Sequence, residues 1–170
     1  EPESPRANFR LGVVLSWGGK LDSALVLLAR ARTGDPENEE MAVVQARVMS
    51  WNKQFDEATV RYDSLLARNP ALREASLGRA RALSWAGRLP EAAKAYDMML
   101  ARDSTDRDAE VGRAQLAAWL GDLPGAARRY QTALDRDPRN LDALVGSGYV
   151  YHWQGQDAMA GRQARRAMEI

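Results

Sequence analysis

The side chains best suited to chemistry in this 170-residue chain are one histidine, five tryptophans and a scatter of arginines, with no cysteine. His152 is a lone imidazole beside Tyr149 and Trp153. A three-ligand metal site could draw carboxylates to it, but no ligand spacing supports one. The lack of cysteine excludes a disulfide framework, a thiolate metal site and a cysteine nucleophile. No G-x-S-x-G elbow, Walker loop or dinucleotide fingerprint occurs. The sequence therefore predicts no enzyme and no cofactor. Non-covalent chemistry remains: indole faces that can stack on a ligand, and Arg47 and Arg81, whose guanidinium groups suit bidentate contact with a carboxylate or another anion.

Composition narrows the partners. Lys and Arg number 24 against 23 Asp and Glu, a net charge of +1, so nothing marks a nucleic-acid binder. No run approaches the roughly 18 apolar residues of a membrane span, which predicts no direct membrane insertion. The chain opens on Glu1-Pro2-Glu3-Ser4-Pro5, without the basic and apolar regions of a signal peptide. The missing initiator Met predicts an excised fragment or a mature protein. Ala, Arg and Leu dominate while β-branched residues are sparse, which favours helix over sheet.

The scaffold that carries these groups is marked by a period. Trp17, Trp51, Trp85, Trp119 and Trp153 stand 34 residues apart, four times running. Seven residues after each lies an alanine (Ala24, Ala58, Ala92, Ala126, Ala160), and five before each lies Gly12, Ala46, Ala80, Ala114 or Gly148. Glycine follows two residues after four of them (Gly19, Gly87, Gly121, Gly155), with Lys53 the exception. Asp35-Pro36, Asn69-Pro70 and Asp137-Pro138 close three repeats, and Asp103-Ser104 keeps the acid alone. A fixed period in so many columns overrides the domain count that length would suggest.

Each column has a mechanical reason. From Arg107, apolar or small residues recur at helical spacing through Ala109, Val111, Ala114, Leu116, Ala117 and Leu120. Gly121 is placed to end that helix as a left-handed residue, and Leu123-Pro124 to open the next. Asp22 and Asp56 hold the same place in earlier repeats, suited to capping and to the helix dipole. The second helix carries Ala126, Tyr130, Ala133 and Leu134 on one face and stops before Pro138. Small residues on either side of the turn let two helices approach, with Tyr62, Tyr96, Tyr130 and Leu28 filling the gap beside them. The expected units are helix–turn–helix hairpins over 5–38, 39–72, 73–106, 107–140 and an incomplete 141–170.

With small residues at position eight, Gly at fifteen, Ala at twenty, an aromatic at twenty-four and Pro at thirty-two, the repeat resembles the tetratricopeptide repeat. The resemblance covers essentially the whole chain. It implies an all-α, right-handed superhelical solenoid of about five tandem hairpins, one domain over 1–170. The usual Trp at position four is absent, Lys53 replaces a Gly, and Trp occupies position thirteen instead. Leu15-Ser16-Trp17-Gly18-Gly19 and Leu83-Ser84-Trp85-Ala86-Gly87 resemble repeat regions that precede bacterial outer-membrane β-barrels or belong to exopolysaccharide-export proteins. That second resemblance implies a periplasmic address, with the cytoplasm as the alternative.

A helix turns about 100° per residue, so position thirteen lies about 140° from the small residue at position eight and about 40° from position nine. The tryptophans therefore leave the hairpin's inner face. In the family, this stripe faces the concave groove. Carried over, the groove-lining candidates are Val13 and Trp17; Arg47 and Trp51; Arg81 and Trp85; Gln115 and Trp119; and Tyr149, His152 and Trp153, with Ser16, Ser50, Ser84 and Ala118 beside them. Two readings of the indoles stand. Large aromatics are usually core, and an indole can bridge the roughly 8–10 Å between helices of successive repeats. Alternatively they form a ladder of surfaces for a ligand.

Gly78, Gly112 and Gly146 sit mid-helix at a cost of up to about 1 kcal/mol each, so either a neighbouring helix or a ligand backbone must approach there. Arg47 and Arg81 either pair with Glu40 and Glu74 in solvent or hold an anion. The expected partner is a protein or peptide in the groove, or a polysaccharide stacked on the indoles. The basic run Arg162, Arg165 and Arg166 reads as a solvated face. The uncapped stripe Ala160, Ala164, Ala167 and Met168 predicts that the last helix contacts further repeats or another molecule.

Overall fold

The computed structural model describes residues 4–170, so the first three residues of the expected 1–170 domain, and of the opening segment judged for a signal peptide, lie outside it. Its described residues form ten helices and no strand. They are α1 (Pro5–Trp17), α2 (Leu21–Gly34), α3 (Glu39–Trp51), α4 (Phe55–Arg68), α5 (Arg73–Trp85), α6 (Leu89–Arg102), α7 (Arg107–Trp119), α8 (Leu123–Arg136), α9 (Leu141–Trp153) and α10 (Asp157–Met168). The helix starts fall at the repeat boundaries that the tryptophan period predicts. Packing gathers into two compact units, Glu1–Arg88 with α1–α5 and Leu89–Ile170 with α6–α10.

Every first helix ends in one turn geometry. The second residue after each Trp has positive φ: 74° at Gly19, 61° at Lys53, 76° at Gly87, 84° at Gly121 and 73° at Gly155. The following amide then reaches back five residues, as in Lys20 N–H to the Leu15 carbonyl at 2.9 Å and Gln156 N–H to that of Tyr151 at 2.8 Å. This is the Schellman closure that satisfies the last carbonyls of a helix. Lys53 obeys the turn although its side chain disfavours it. A left-handed non-glycine residue costs roughly 1–2 kcal/mol, partly offset by the roughly 0.5–1 kcal/mol that glycine loses in chain entropy. Lys53→Gly should therefore stabilise the chain by about 0.5–1 kcal/mol, seen as a higher urea midpoint with unchanged slope.

Caps separate by position. Asn38, Asp106 and Asn140 start first helices by accepting from Met41 N–H at 3.0 Å, Ala109 N–H at 3.1 Å and Ala143 N–H at 2.9 Å. Asp122 does the same for α8 through Gly125 N–H at 2.9 Å. Asp22 and Asp56 correct the capping expectation: the residues at the caps are Lys20 and Gln54, neither with a side-chain bond. The two aspartates sit within the first turn, where the dipole still favours them. There Asp22 accepts from Asn52 at 2.9 Å and Asp56 pairs with Arg88 at 3.5 Å. Three of the residues closing the repeats make Asx turns, Asn69 accepting from Ala71 N–H at 3.2 Å, Asp103 from Thr105 N–H at 2.8 Å and Asp137 from Arg139 N–H at 3.2 Å, whereas Asp35 accepts from the Asn38 side chain at 2.9 Å.

The small-residue columns lie at the core, with Ala24, Ala46, Ala58, Ala80, Ala92, Ala114 and Ala126 all fully buried. The tyrosines at position twenty-four do more than fill their own hairpins. Each ring lies against the mid-helix glycine of the next first helix, so that a Cβ on Gly78, Gly112 or Gly146 would stand 2.4–2.7 Å from Tyr62, Tyr96 or Tyr130. Of the two approaches open to those glycines, the neighbouring repeat's side chain is the one present. The first junction carries a different pair, Leu28 with Val44, buried together in one cluster. A bulky knob meets glycine, and a smaller knob meets valine. Beside two of the tyrosine junctions stands an ion pair in the same register, Arg79 to Asp63 at 2.5 Å and Arg113 to Asp97 at 2.8 Å.

Candidate tryptophan-bearing face

The stripe at positions nine and thirteen lies at the surface of both units. The indoles are 72 % exposed at Trp17, 38 % at Trp51, 45 % at Trp85, 44 % at Trp119 and 54 % at Trp153. Each indole is partly covered and shows the rest of its ring, so packing along one edge and an open face coexist. Position nine is exposed at Arg47, Arg81, Gln115 and Tyr149 and half-buried at Val13.

The serines at position twelve turn away from this surface. Ser16, Ser50 and Ser84 are buried and donate to the Val13, Ala46 and Ala80 carbonyls at 2.7, 3.0 and 2.8 Å. A hydroxyl in a helix readily makes this backward bond, which removes all three from the groove lining.

In the first unit, Arg47 does not pair with Glu40. Its guanidinium lies over the Trp51 ring, 5.3 Å from the centroid, a cation–π arrangement that holds the positive group flat on an open indole. In the second unit, four of the expected residues converge. Gln115, Trp119, Tyr149 and Trp153 surround a cleft of about 260 Å³. Tyr149 and Trp153, one helical turn apart, stack at 6.1 Å between centroids with their planes 28° apart. The cleft floor is Tyr130 with Gly146, two residues that the sequence flagged separately and that only the register of α9 on α8 brings together. No carboxylate or cation lines this cleft. His152 is turned out of it toward Asp157, with Nδ1 2.9 Å from the carboxylate, and it lines a neighbouring groove instead.

Burial sets the acidity of the floor. Tyr130 is pushed up to about 12 by desolvation, with the Asp142 charge adding to it. Tyr62, its counterpart in the first unit, is also pushed up to about 12 by desolvation, opposed by Arg47, a Ser50 hydrogen bond and Arg81. Both hydroxyls are neutral in folded and unfolded chains at neutral pH. As pH climbs from 10 toward about 12, the unfolded chain releases these protons first and stability falls. Tyr62→Phe with Tyr130→Phe should flatten that alkaline loss, measured as urea midpoint against pH.

Among the described residues, no group of three His, Asp or Glu could hold a metal ion, and no helix is long and apolar enough to cross a membrane. Two models described as tetratricopeptide repeat match residues 52–116 and 111–169. Together they span more than half of the chain. No curated protein matches the sequence. Solved structures do. TTC0263, a thermophilic TPR protein of Thermus thermophilus, superposes with a TM-score of 0.85 at 21 % identity, over 98 % of this chain and 91 % of that one. A tetratricopeptide repeat protein of Parabacteroides merdae gives 0.82 at 22 %, over 97 % of this chain and 64 % of that longer one. YrrB, described as a TPR protein with an unusual peptide-binding site, gives 0.62 at 16 %, over 99 % and 87 %. At these identities the likeness speaks for the fold.

Proposed function

Because this chain belongs to the tetratricopeptide-repeat family, whose fold is a protein-interaction scaffold, we propose that it is a non-catalytic scaffold that holds a peptide segment against its tryptophan-bearing face. The observation that carries the reading is the cleft between Trp119 and Trp153. An uncharged, aromatic-walled hollow with one amide at its rim suits an apolar or aromatic peptide side chain, and Gln115 can bond the peptide backbone as donor and acceptor. The peptide site named for YrrB supports the same class of ligand.

A second reading has its own support. The Tyr149–Trp153 pair offers a flat, open aromatic platform with neutral surroundings, which also suits a sugar ring in a glycan-guiding module of the periplasm. Titration calorimetry of the chain against a peptide library and against oligosaccharides separates the two. Saturable peptide binding supports the scaffold. Saturable sugar binding with no peptide binding moves the function to the glycan, and silence from both classes removes the face from consideration.

A further inference from the structure

Within the first unit, a cavity of about 50 Å³ lies where the end of α2 meets α3 and α4. One water needs roughly 10–15 Å³ on that scale, so the cavity has room for one small polyatomic ion. Three cations line it, Arg32 from α2 and Arg61 and Arg68 from α4. Two carboxylates line it as well, Glu37 and Glu39 at the entry to α3, which leaves the lining one net positive charge. Both acids are engaged: Glu37 pairs with Arg68, and Glu39 accepts from the Asn69 side chain at 3.1 Å.

Two donors are left over. Arg32 donates through Nη1 to the Gln45 side chain at 3.0 Å, while its Nε is buried with no hydrogen-bond partner among the described residues. A buried donor without a partner is costly. Packing does not require an arginine there, since Leu66, Leu100, Leu134 and Met168 hold the same column of the repeat. Burial lowers the Arg32 pKa, the Arg61 and Arg68 charges act in the same direction, and Glu37 opposes them. Arg61 makes no hydrogen bond or ion pair among the described residues.

Repeat four shows what an arginine at this place meets when the array supplies a partner. Arg129 stands two periods after Arg61 and pairs with Glu110 of α7 at 3.5 Å. Two periods before Glu110 stands Ala42, which lines the cavity. Repeat two therefore keeps the arginine without the carboxylate, and Arg32 adds a further cation where the junction before repeat four has Leu100. We propose that the cavity between α2, α3 and α4 binds one small oxyanion from solution, held by Arg61 and by Nε of Arg32 in the place that the Glu110 carboxylate takes in repeat four. A charge-assisted bond from each guanidinium gives both donors the partner they lack. The site uses no residue of the tryptophan-bearing face, so it stands independently of the peptide reading.

Titration of the whole chain with inorganic phosphate and, separately, with acetate at constant ionic strength tests this. Calorimetry reads the affinity, and the Nε–Hε signal of Arg32 in nitrogen-correlated NMR spectra reads the place. A saturable shift is expected with at least one of the two anions and none with chloride. Tighter phosphate binding assigns the site to phosphate, and tighter acetate binding assigns it to a carboxylate. Arg61→Gln should weaken binding about 5-fold. Arg32→Leu, the residue of the other repeats, should weaken it about 10-fold or more. Ala42→Glu should abolish binding with the helical circular dichroism unchanged, because it sets a carboxylate in the cavity as Glu110 does in repeat four. Arg61 is exposed, so Arg61→Gln reads the site even if Ala42→Glu fails to fold. No saturable response, or an affinity unchanged in Arg61→Gln and Arg32→Leu, overturns the proposal. So does a chloride response equal to that of phosphate, which reduces the effect to screening.

Discussion

Gly112→Val should lower the stability of the chain by about 2 kcal/mol, and adding Tyr96→Leu should recover most of that loss. A Cβ on Gly112 would meet the Tyr96 ring at 2.5 Å, and the ring is 3 % exposed with no room to swing aside. Valine adds two methyl groups beyond that contact. Its better helix propensity returns only about half a kcal/mol, so overpacking wins. Tyr96→Leu alone leaves a hollow over glycine and should cost about 2–3 kcal/mol. Together the two changes reproduce the Leu28–Val44 pair of the first junction. The double variant should therefore be clearly more stable than the sum of the single losses. Urea midpoints for the four proteins check this, and strictly additive losses would show that the two side chains do not interlock.

The second large effect concerns binding. Trp119→Ala should weaken the bound peptide about 30-fold or more, the range of a centrally placed aromatic hot spot. The cost to folding should stay near 1–2 kcal/mol, because the ring is 44 % exposed and only its inner part packs. Tyr149→Ala should act in the same direction, since it removes one wall of the cleft and half of the stacked pair. Calorimetry gives the affinity and circular dichroism the fold. Wild-type affinity in both variants would place the ligand elsewhere.

Hairpins were legible in the sequence because the tryptophan column sets their length and the glycine column their turn. At Lys53 the same turn forms without glycine, because the helix-closing bonds around it outweigh one strained residue. The site was legible in part. Helical angle alone puts Trp119, Tyr149 and Trp153 on one side, but their closing into a cleft depends on how α9 seats on α8. That seating is set by Tyr130 against Gly146, a contact between residues 16 apart whose two halves look unrelated in the sequence. The position-twelve serines misled for a local reason. Whether a hydroxyl faces outward or bonds its own helix is a choice of rotamer, which residue type does not reveal.

The tyrosine–glycine match also governs how this gene could lengthen or shorten. Loss of residues 107–140 would leave Tyr96 facing Gly146, the partner type it already has, and duplication of that segment would copy the same join. Loss of residues 39–72 would instead set Leu28 opposite Gly78 and open a void. The later repeats behave as interchangeable parts with a common coupling, and the first repeat has a coupling of its own. Recombination within the array would be tolerated unevenly along it, freely toward the C-terminal repeats and poorly at the first join.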